Sequence, residues 1–114
     1  MSTLVNIRVV DDVAVIRLSF NEISLEQREE LKKELLAMVT QGQNKFVVNL
    51  SHVGFLSSLV IATLIVFAKE ARQKGGDVRL CCPLEEALNV IQITQLDKVF
   101  KIYKGEPEAV DSFK

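Results

Sequence analysis

The stretch 46–67 constrains the fold of this chain more than any other part of the sequence. A short apolar run at 45–50 is followed by a loop over 51–56 and by two serines, Ser57 and Ser58, that open a strongly apolar helical segment. Short apolar runs are typical of parallel strands that are buried on both faces. Serine is a preferred cap for the first turn of a helix. The stretch therefore predicts a buried strand followed by a capped helix.

Strand and helix patterns alternate on the amino-terminal side of this stretch. Two β-branched runs, 4–10 and 13–18, are separated by Asp11-Asp12 and predict a hairpin with a tight acidic turn. The sequence Ser24-Leu-Glu-Gln27 has the form of a capping box and predicts a helix that ends near Gly42. Its apolar positions have helical spacing: Leu31, Leu35, Met38 and Val39.

The same alternation continues to the end of the chain. The helix from Ser57 or Ser58 is expected to reach about Lys74, because Gly75-Gly76 is a typical helix stop. The later elements are a strand at 78–82, a helix over 84–93 with Pro83 in its first turn, a strand at 100–103, and a final helix from Pro107 to about Phe113.

This order of elements predicts an α/β fold in one domain spanning 1–114. Strands that are separated by helices pair in parallel through crossover connections, whereas the first two runs form an antiparallel hairpin. We therefore expect a mixed β-sheet with an antiparallel N-terminal hairpin followed by parallel strands, packed by about four helices. With 48% hydrophobic residues, the chain can bury a substantial core.

Net charge indicates which partners this chain can attract. The 14 basic and 15 acidic residues give a formal charge of −1, so electrostatics favours neither nucleic acid nor an anionic membrane as a partner. Low self-repulsion favours association with other proteins and allows a weak homodimer. The longest apolar stretch, 59–68, is about half of the roughly 20 residues that a membrane-spanning helix needs, so we expect no direct membrane insertion.

Cysteine usage and the start of the chain indicate a cytoplasmic protein. The first residues lack the basic and apolar regions of a secretory signal. Cys81 and Cys82 are neighbours in a predicted strand, where side chains alternate between faces, so we expect them not to form a disulfide with each other. A reducing compartment is consistent with this pattern.

Residue types that would support catalysis or metal binding are sparse. His52 is the one histidine, and no spacing resembles a zinc site or a nucleotide-binding loop, so we expect no metal or cofactor. A Ser-His-Asp hydrolase could be built formally from Ser58, His52 and Asp97. The sequence lacks the G-x-S-x-G elbow of such enzymes, however, which disfavours this class.

The paired serines have two compatible interpretations. One serine is sufficient to cap a helix, and the helix after them has more apolar residues than one buried stripe requires. The excess predicts an exposed apolar patch of the kind that binds proteins. A phosphate here would add about −1.5 to −2 charges at a helix N-terminus, where the helix dipole favours it, and would repel an apolar or acidic partner.

Two motifs make the chain resemble the STAS domain of bacterial anti-sigma factor antagonists. The family pattern V-x-L-D-L-S-x-V-x-F-I-D-S-S-G-L-G-x-L is similar to the segment that ends VVNLSHVGFLSSLVIATL at Leu64, and L-x-L-T-G-L-D-x-V-F-x-I-Y is close to VIQITQLDKVFKIY at 90–103. The final Glu108-Ala-Val-Asp-Ser-Phe113 also looks like the last helix of the family, so the resemblance covers nearly the whole chain.

The resemblance implies a non-enzymatic switch. An unphosphorylated antagonist of this family binds an anti-sigma factor that is also a serine kinase, and so frees a sigma factor. The kinase inactivates the antagonist by phosphorylating the serine after the motif aspartate, which corresponds to Ser58 here, with Ser57 as the reserve candidate. A metal-dependent serine phosphatase reverses the modification. The implied partner-binding residues are Ile23, Ser24, Ser57, Ser58, Leu59, Ile61 and Ala62.

The chain departs from the family pattern around the acceptor serine. Ser57 replaces the aspartate, Leu59 replaces a second serine, and Val60 and Ala62 replace two glycines, so that larger side chains are expected to crowd the site. The early G-x-L-D of the family is replaced by the segment 20–24. These changes keep a second function open, in which a STAS-like subunit or scaffold serves a lipid-transport ATPase complex or a stress-sensing assembly without phosphate control.

Overall fold

Strands and helices alternate through the described part of the chain, which comprises residues 5–20 and 23–114 of this computed structural model. The strands are β1 (Val5–Val10), β2 (Val13–Leu18), β3 (Lys45–Asn49), β4 (Asp77–Cys81) and β5 (Ile102–Tyr103). The helices are α1 (Leu25–Thr40), α2 (Ser58–Gln73), α3 (Glu85–Ile93) and α4 (Glu106–Asp111), and a 3₁₀ turn at Leu96–Lys98 precedes β5. The predicted order is confirmed, although Leu4 lies outside the described residues.

The strands form one mixed sheet in the order β1-β2-β3-β4-β5. β1 pairs antiparallel with β2, and all later neighbours pair in parallel, as the sequence predicted. Asp11 and Asp12 close the hairpin with φ angles of 51° and 68°. Two successive positive φ angles define the turn that matches the twist of paired strands, and Asp tolerates this conformation well.

The two faces of the sheet carry different helices. Buried side chains of α1, α2 and α3 share one core with Ile16, Val48 and Leu80 on three neighbouring strands. Val15 and Val47, one residue earlier in their strands, point to the opposite face and pack against α4. Because successive strand residues alternate between faces, each central strand is buried twice, which explains its continuous apolar sequence.

Glycines end both long helices. After α2, the Gly75 N–H donates to the Arg72 carbonyl (3.1 Å) and the Gly76 N–H to the Ala71 carbonyl (2.8 Å). Gly75 has a φ of +84°, and Gly42 has a φ of +102° after α1. These are the bonds and the backbone conformation of the Schellman motif, which turns the chain sharply at a helix end. Both predicted helix stops are confirmed.

The segment after β4 differs from the sequence prediction. β4 ends at Cys81, and Cys82 has a φ of +64°, so it is not a regular strand residue. α3 begins at Glu85 with Leu84 as its N-cap, so the prediction that Pro83 lies in the first turn is wrong. The Cys82 N–H donates to the Tyr103 carbonyl (2.9 Å), which prolongs the link to β5 and delays the start of the helix.

Two further expectations at this end of the chain need correction. The cysteine side chains do not diverge, because the change of backbone conformation at Cys82 brings its Sγ to 2.8 Å from that of Cys81. β5 is shorter than 100–103, since the Phe100 N–H bonds to the Leu96 carbonyl (2.8 Å) as part of the preceding turn. Phe100 instead buries its ring in the core.

The carboxyl-terminal residues pack at the amino ends of the parallel strands. Lys114 forms ion pairs with Asp111 (3.2 Å) and with Asp11 in the hairpin turn (3.3 Å). α4, just before them, covers the sheet face opposite α2.

None of the described helices has both the length and the apolar character that crossing a bilayer requires.

Candidate partner-binding site at the start of α2

The helices α1 and α2 begin at the same edge of the sheet. β2 and β3 run parallel, and each is followed by one of these helices, so both helix N-termini lie beyond the carboxyl ends of the strands. A hydrogen bond from Arg28 Nε to Thr63 Oγ1 (3.2 Å) joins the first turn of α1 to the second turn of α2. This pairing brings the capping segments of the two helices, at Ser24 and Ser57, to one end of the molecule.

A structured loop carries the chain from β3 to α2. Asn49 Oδ1 accepts from the Ser51 N–H (2.8 Å), and Asn49 Nδ2 donates to Glu106 Oε1 (3.0 Å) at the start of α4. Val53 and Leu56 are almost completely buried and hold the loop against the main core. The direction in which α2 leaves the sheet is therefore set by side chains on both sides of the loop.

Ser57 and Ser58 have different structural roles. Ser57 is the N-cap: its Oγ accepts from the Val60 N–H (3.3 Å), and its carbonyl accepts from the Ile61 N–H (3.0 Å). Ser58 is the first helical residue and is exposed. The capping interpretation thus belongs to Ser57, and Ser58 lies exposed beside the cap.

The electrostatic setting of Ser58 favours an anion. The first amide groups of a helix have no acceptor within the helix, and the aligned peptide dipoles place partial positive charge there. No acidic residue lies in the first turn of α2. A phosphate on Ser58 would therefore meet no acidic side chain within the first turn of its own helix.

An exposed stripe of α2 begins at Ser58 and continues through Ala62 and Ile65. Ala62 and Ile65 follow Ser58 by four and seven positions, a spacing that places all three on one face of the helix. Ile65 is 39% exposed, and Phe55 in the preceding loop is 47% exposed. We call Phe55, Ser58, Ala62 and Ile65 the α2 surface.

The sequence analysis did not include Phe55 and Ile65 among the expected binding residues. Helical spacing from Ser58 could have identified Ile65.

The other expected binding residues divide into exposed and half-buried ones. Ser24 is exposed and caps α1, with Ser24 Oγ accepting from the Gln27 N–H (3.1 Å) and Gln27 Oε1 accepting from the Ser24 N–H (2.9 Å). Ile23, Leu59 and Ile61 are half-buried, and the two isoleucines pack against the main core. A partner on the α2 surface would reach only the outer edges of these side chains.

The sequence matches the family described as "STAS domain" over residues 5–109. The chain belongs to the STAS family. A Thermotoga maritima protein provisionally named an anti-sigma factor antagonist is 30% identical over 105 residues, which cover 91% of this chain and 92% of that protein.

Solved structures show the same STAS fold. The crystal structure of an anti-sigma factor antagonist from Thermotoga maritima, also provisionally named, superposes with a TM-score of 0.86 at 27% identity and covers 96% of this chain and 94% of that one. The Bacillus cell fate determinant SpoIIAA in its phosphorylated form has a TM-score of 0.74 at 20% identity, and covers 96% of this chain and 99% of that one.

The departures from the STAS pattern affect the surface less than the sequence suggested. Val60, in the place of the first glycine, is completely buried and fills the core. Ala62, in the place of the second, adds one exposed methyl group. Ser57 keeps the cap that an aspartate would also provide, and its neutral hydroxyl leaves less negative charge beside Ser58. Of the larger side chains that the sequence analysis expected to crowd the site, only Ala62 and the half-buried Leu59 therefore reach the surface.

The structure does not assemble the hydrolase considered from the sequence. His52 lines a shallow cleft with Arg17, Ser19 and Phe20, whereas Asp97 lines a different cleft beside α3 and β5. Among residues 5–20 and 23–114, no three side chains of the metal-binding types come together.

Replacing Ser57 by alanine is expected to lower the free energy of unfolding by about 1 kcal/mol, because the Val60 N–H loses its cap. Ser57→Asp should retain most of the stability, since aspartate caps equally well. The matched control is Ser58→Ala, which removes an exposed hydroxyl and should change stability by less than about 0.5 kcal/mol. Urea denaturation measures the stability of all three variants. If Ser58→Ala lost more stability than Ser57→Ala, the cap would be Ser58 and the prediction would be wrong.

Proposed function

We propose that this STAS domain is a non-enzymatic regulatory protein of the anti-sigma factor antagonist type. It binds an anti-sigma factor that is also a serine kinase and thereby frees a sigma factor. The observation that carries the proposal is the accessible Ser58 at the head of an exposed apolar stripe, with Ser57 alone serving as the cap. A surface built in this way can bind a partner and can receive a charge without loss of the fold.

Phosphorylation of Ser58 switches the protein off in this proposal. The added charge stands at the head of the exposed stripe that continues through Ala62 and Ile65, and a partner whose contact surface is apolar or acidic is repelled by it. The helix N-terminus stabilises the phosphate, so that modification changes binding more than folding. Ser57 is the reserve acceptor, and a metal-dependent serine phosphatase restores the binding form.

Relatives support this assignment at the level of the family. The Thermotoga maritima relative is provisionally named an anti-sigma factor antagonist. SpoIIAA, which shares the fold, exists in phosphorylated and unphosphorylated forms. The near-neutral charge of this chain suits a protein partner better than a nucleic acid, and we propose the cytoplasm as its location.

The first test of the proposal is direct phosphorylation. The full chain is incubated with an anti-sigma factor kinase of its own organism and Mg-ATP, and the tryptic peptide 46–69 is examined by mass spectrometry. We expect one phosphate, localised by fragmentation to Ser58, in the wild type and in Ser57→Ala, and none in Ser58→Ala. If the phosphate were lost only in Ser57→Ala, the acceptor would be Ser57 and not Ser58.

The second measurement tests whether charge controls binding. Ser58→Asp should weaken affinity for the same kinase by about tenfold or more in isothermal titration calorimetry, because a charge is placed in an apolar contact. Ser58→Asn is the matched control, since it has nearly the same size without the charge and should bind within about twofold of wild type. Equal affinity of the Asp and Asn variants would show that phosphate control is absent.

A constitutive subunit of a larger assembly is the second candidate function. The exposed Phe55 and Ile65 favour it, because an apolar contact of this kind needs no modification to form. In that case Ser58 variants leave assembly unchanged, whereas Ile65→Asp abolishes it. Partner switching predicts that both Ser58→Asp and Ile65→Asp weaken binding.

A further inference from the structure

The α4 face of the sheet carries a pair of thiols that plays no part in the proposed function. Cys81 and Cys82 are the two cysteines of the sequence, both are free, and their Sγ atoms are 2.8 Å apart. The left-handed conformation of Cys82, with a φ of +64°, turns its side chain back toward Cys81. Such a φ is uncommon for a residue other than glycine, asparagine or aspartate.

We propose that Cys81 and Cys82 form a reversible disulfide with each other by exchange with a small-molecule disulfide such as oxidised glutathione. The Cys82 thiolate attacks one sulfur of that disulfide, a Cys82–glutathione bond forms, and one glutathione thiolate leaves. The Cys81 sulfur then attacks the Cys82 sulfur and releases the second glutathione. Two protein thiols are oxidised, one external disulfide is reduced, and the two cysteine protons end on the two released glutathione thiols.

The two sulfurs differ in a way that fixes the order of these steps. Cys82 is half-buried, so an external disulfide can reach it, whereas Cys81 is fully buried. Burial raises the pKa of the Cys81 thiol above its ordinary value of 9.0, and the hydrogen bond that the thiol shares with Cys82 and the charge of Glu106 act in the same direction. Cys81 is therefore shielded from external reagents, and the 2.8 Å between the two Sγ atoms places it to act as the resolving thiol.

The bond should be readily reduced. Adjacent Cα atoms are about 3.8 Å apart across a trans peptide, below the roughly 4.4–6.8 Å that a relaxed disulfide spans. A disulfide under such constraint is easier to reduce than a structural one and is suited to regulation. The reducing conditions inferred for this chain would keep the thiols free until the pool of small disulfides rises.

Ring closure would act on the backbone that supports the α2 loop. The Cys81 carbonyl accepts from the Leu50 N–H (3.0 Å), and the Cys82 N–H bonds to Tyr103 (2.9 Å). Leu50 follows β3 directly and begins the loop that leads to Ser57. We therefore expect hydrogen exchange at the Leu50 amide to change between the two redox states.

The experiment equilibrates the folded chain in buffers of graded oxidised-to-reduced glutathione, traps free thiols with N-ethylmaleimide, and measures the intact mass. We expect a monomer that has lost two hydrogens and takes up no maleimide, a product that only a Cys81–Cys82 bond can give. Dithiothreitol should return it fully to the form with two thiols. The tryptic peptide 80–98, which contains both cysteines, should show the same loss.

Two controls separate the geometry from general thiol reactivity. Cys82→Ser, a small change at a half-buried position, should give neither the mass loss nor a glutathione adduct, because Cys81 is buried. The wild type in concentrated urea should hold a smaller oxidised fraction than the folded chain in the same buffer. Free thiols throughout, glutathione adducts or covalent dimers alone, or an equal oxidised fraction in urea would each overturn the proposal.

Discussion

Replacing Phe67 by alanine is expected to lower the free energy of unfolding by about 3–5 kcal/mol. Phe67 lies in the middle of α2 and is 1% exposed. Its ring meets that of Phe46 on β3 edge-to-face, with the ring centroids 4.7 Å apart. Truncation loses the apolar burial and the aromatic contact, and leaves a cavity between the helix and the sheet.

The size of this effect is large compared with the usual stability of a small domain, about 5–15 kcal/mol. Because the chain has no tryptophan, urea unfolding is best followed by circular dichroism of the helices. Phe67→Leu is the matched control and should cost less than about 1.5 kcal/mol, since it keeps most of the apolar volume. A loss below that value in Phe67→Ala would show that this part of the core is loosely packed.

A second large effect is expected from Gly76→Ala. A Cβ at Gly76 would overlap the backbone carbonyl oxygen of Asn44, and it would lie 2.7 Å from the carbonyl carbon. That carbonyl accepts the Asp77 N–H (2.9 Å) where β4 begins to pair with β3. Because a backbone group cannot swing aside as a side chain can, we expect a cost of about 3 kcal/mol or more.

The neighbouring glycine provides a control for this prediction. A Cβ at Gly75 meets nothing within 4 Å, but its φ of +84° disfavours any side chain. Gly75→Ala should therefore cost only about 1–2 kcal/mol, the usual penalty of the left-handed conformation. Urea denaturation of both variants tests the order. If Gly75→Ala were the more damaging, backbone conformation and not close packing would limit this turn.

Local signals in the sequence were sufficient to predict most of the fold. The capping box at Ser24, the stop at Gly75 and the acidic hairpin turn each depend on residues within one helical turn of one another, and all three have the expected structure. The alternation of strands and helices then determined which strands are parallel. The preference of helix N-caps for serine also limited the predicted start of α2 to Ser57 or Ser58.

The remaining features depend on contacts between distant parts of the chain. Asn49 bonds to Glu106, and Glu106 pairs with Arg8 on the edge strand, an arrangement that no spacing in the sequence indicates. The bond from Cys82 to Tyr103 has the same character, and it accompanies both the late start of α3 and the approach of the two thiols. The exposure of Phe55 also depends on tertiary packing, because the core buries its neighbours Val53 and Leu56 and leaves Phe55 outside.

The ion pair between Lys114 and Asp11 has a practical consequence for binding assays. It holds the end of the described chain beside the hairpin turn, at the amino ends of the parallel strands, whereas Ser58 lies beyond their carboxyl ends. A biotin, a fluorophore or a solid support joined on the carboxyl-terminal side of Lys114, where it leaves the Nζ free to pair with Asp11, would therefore leave the α2 surface facing solution. Immobilised sensors and labelled probes can be prepared through that end without shielding the surface under test.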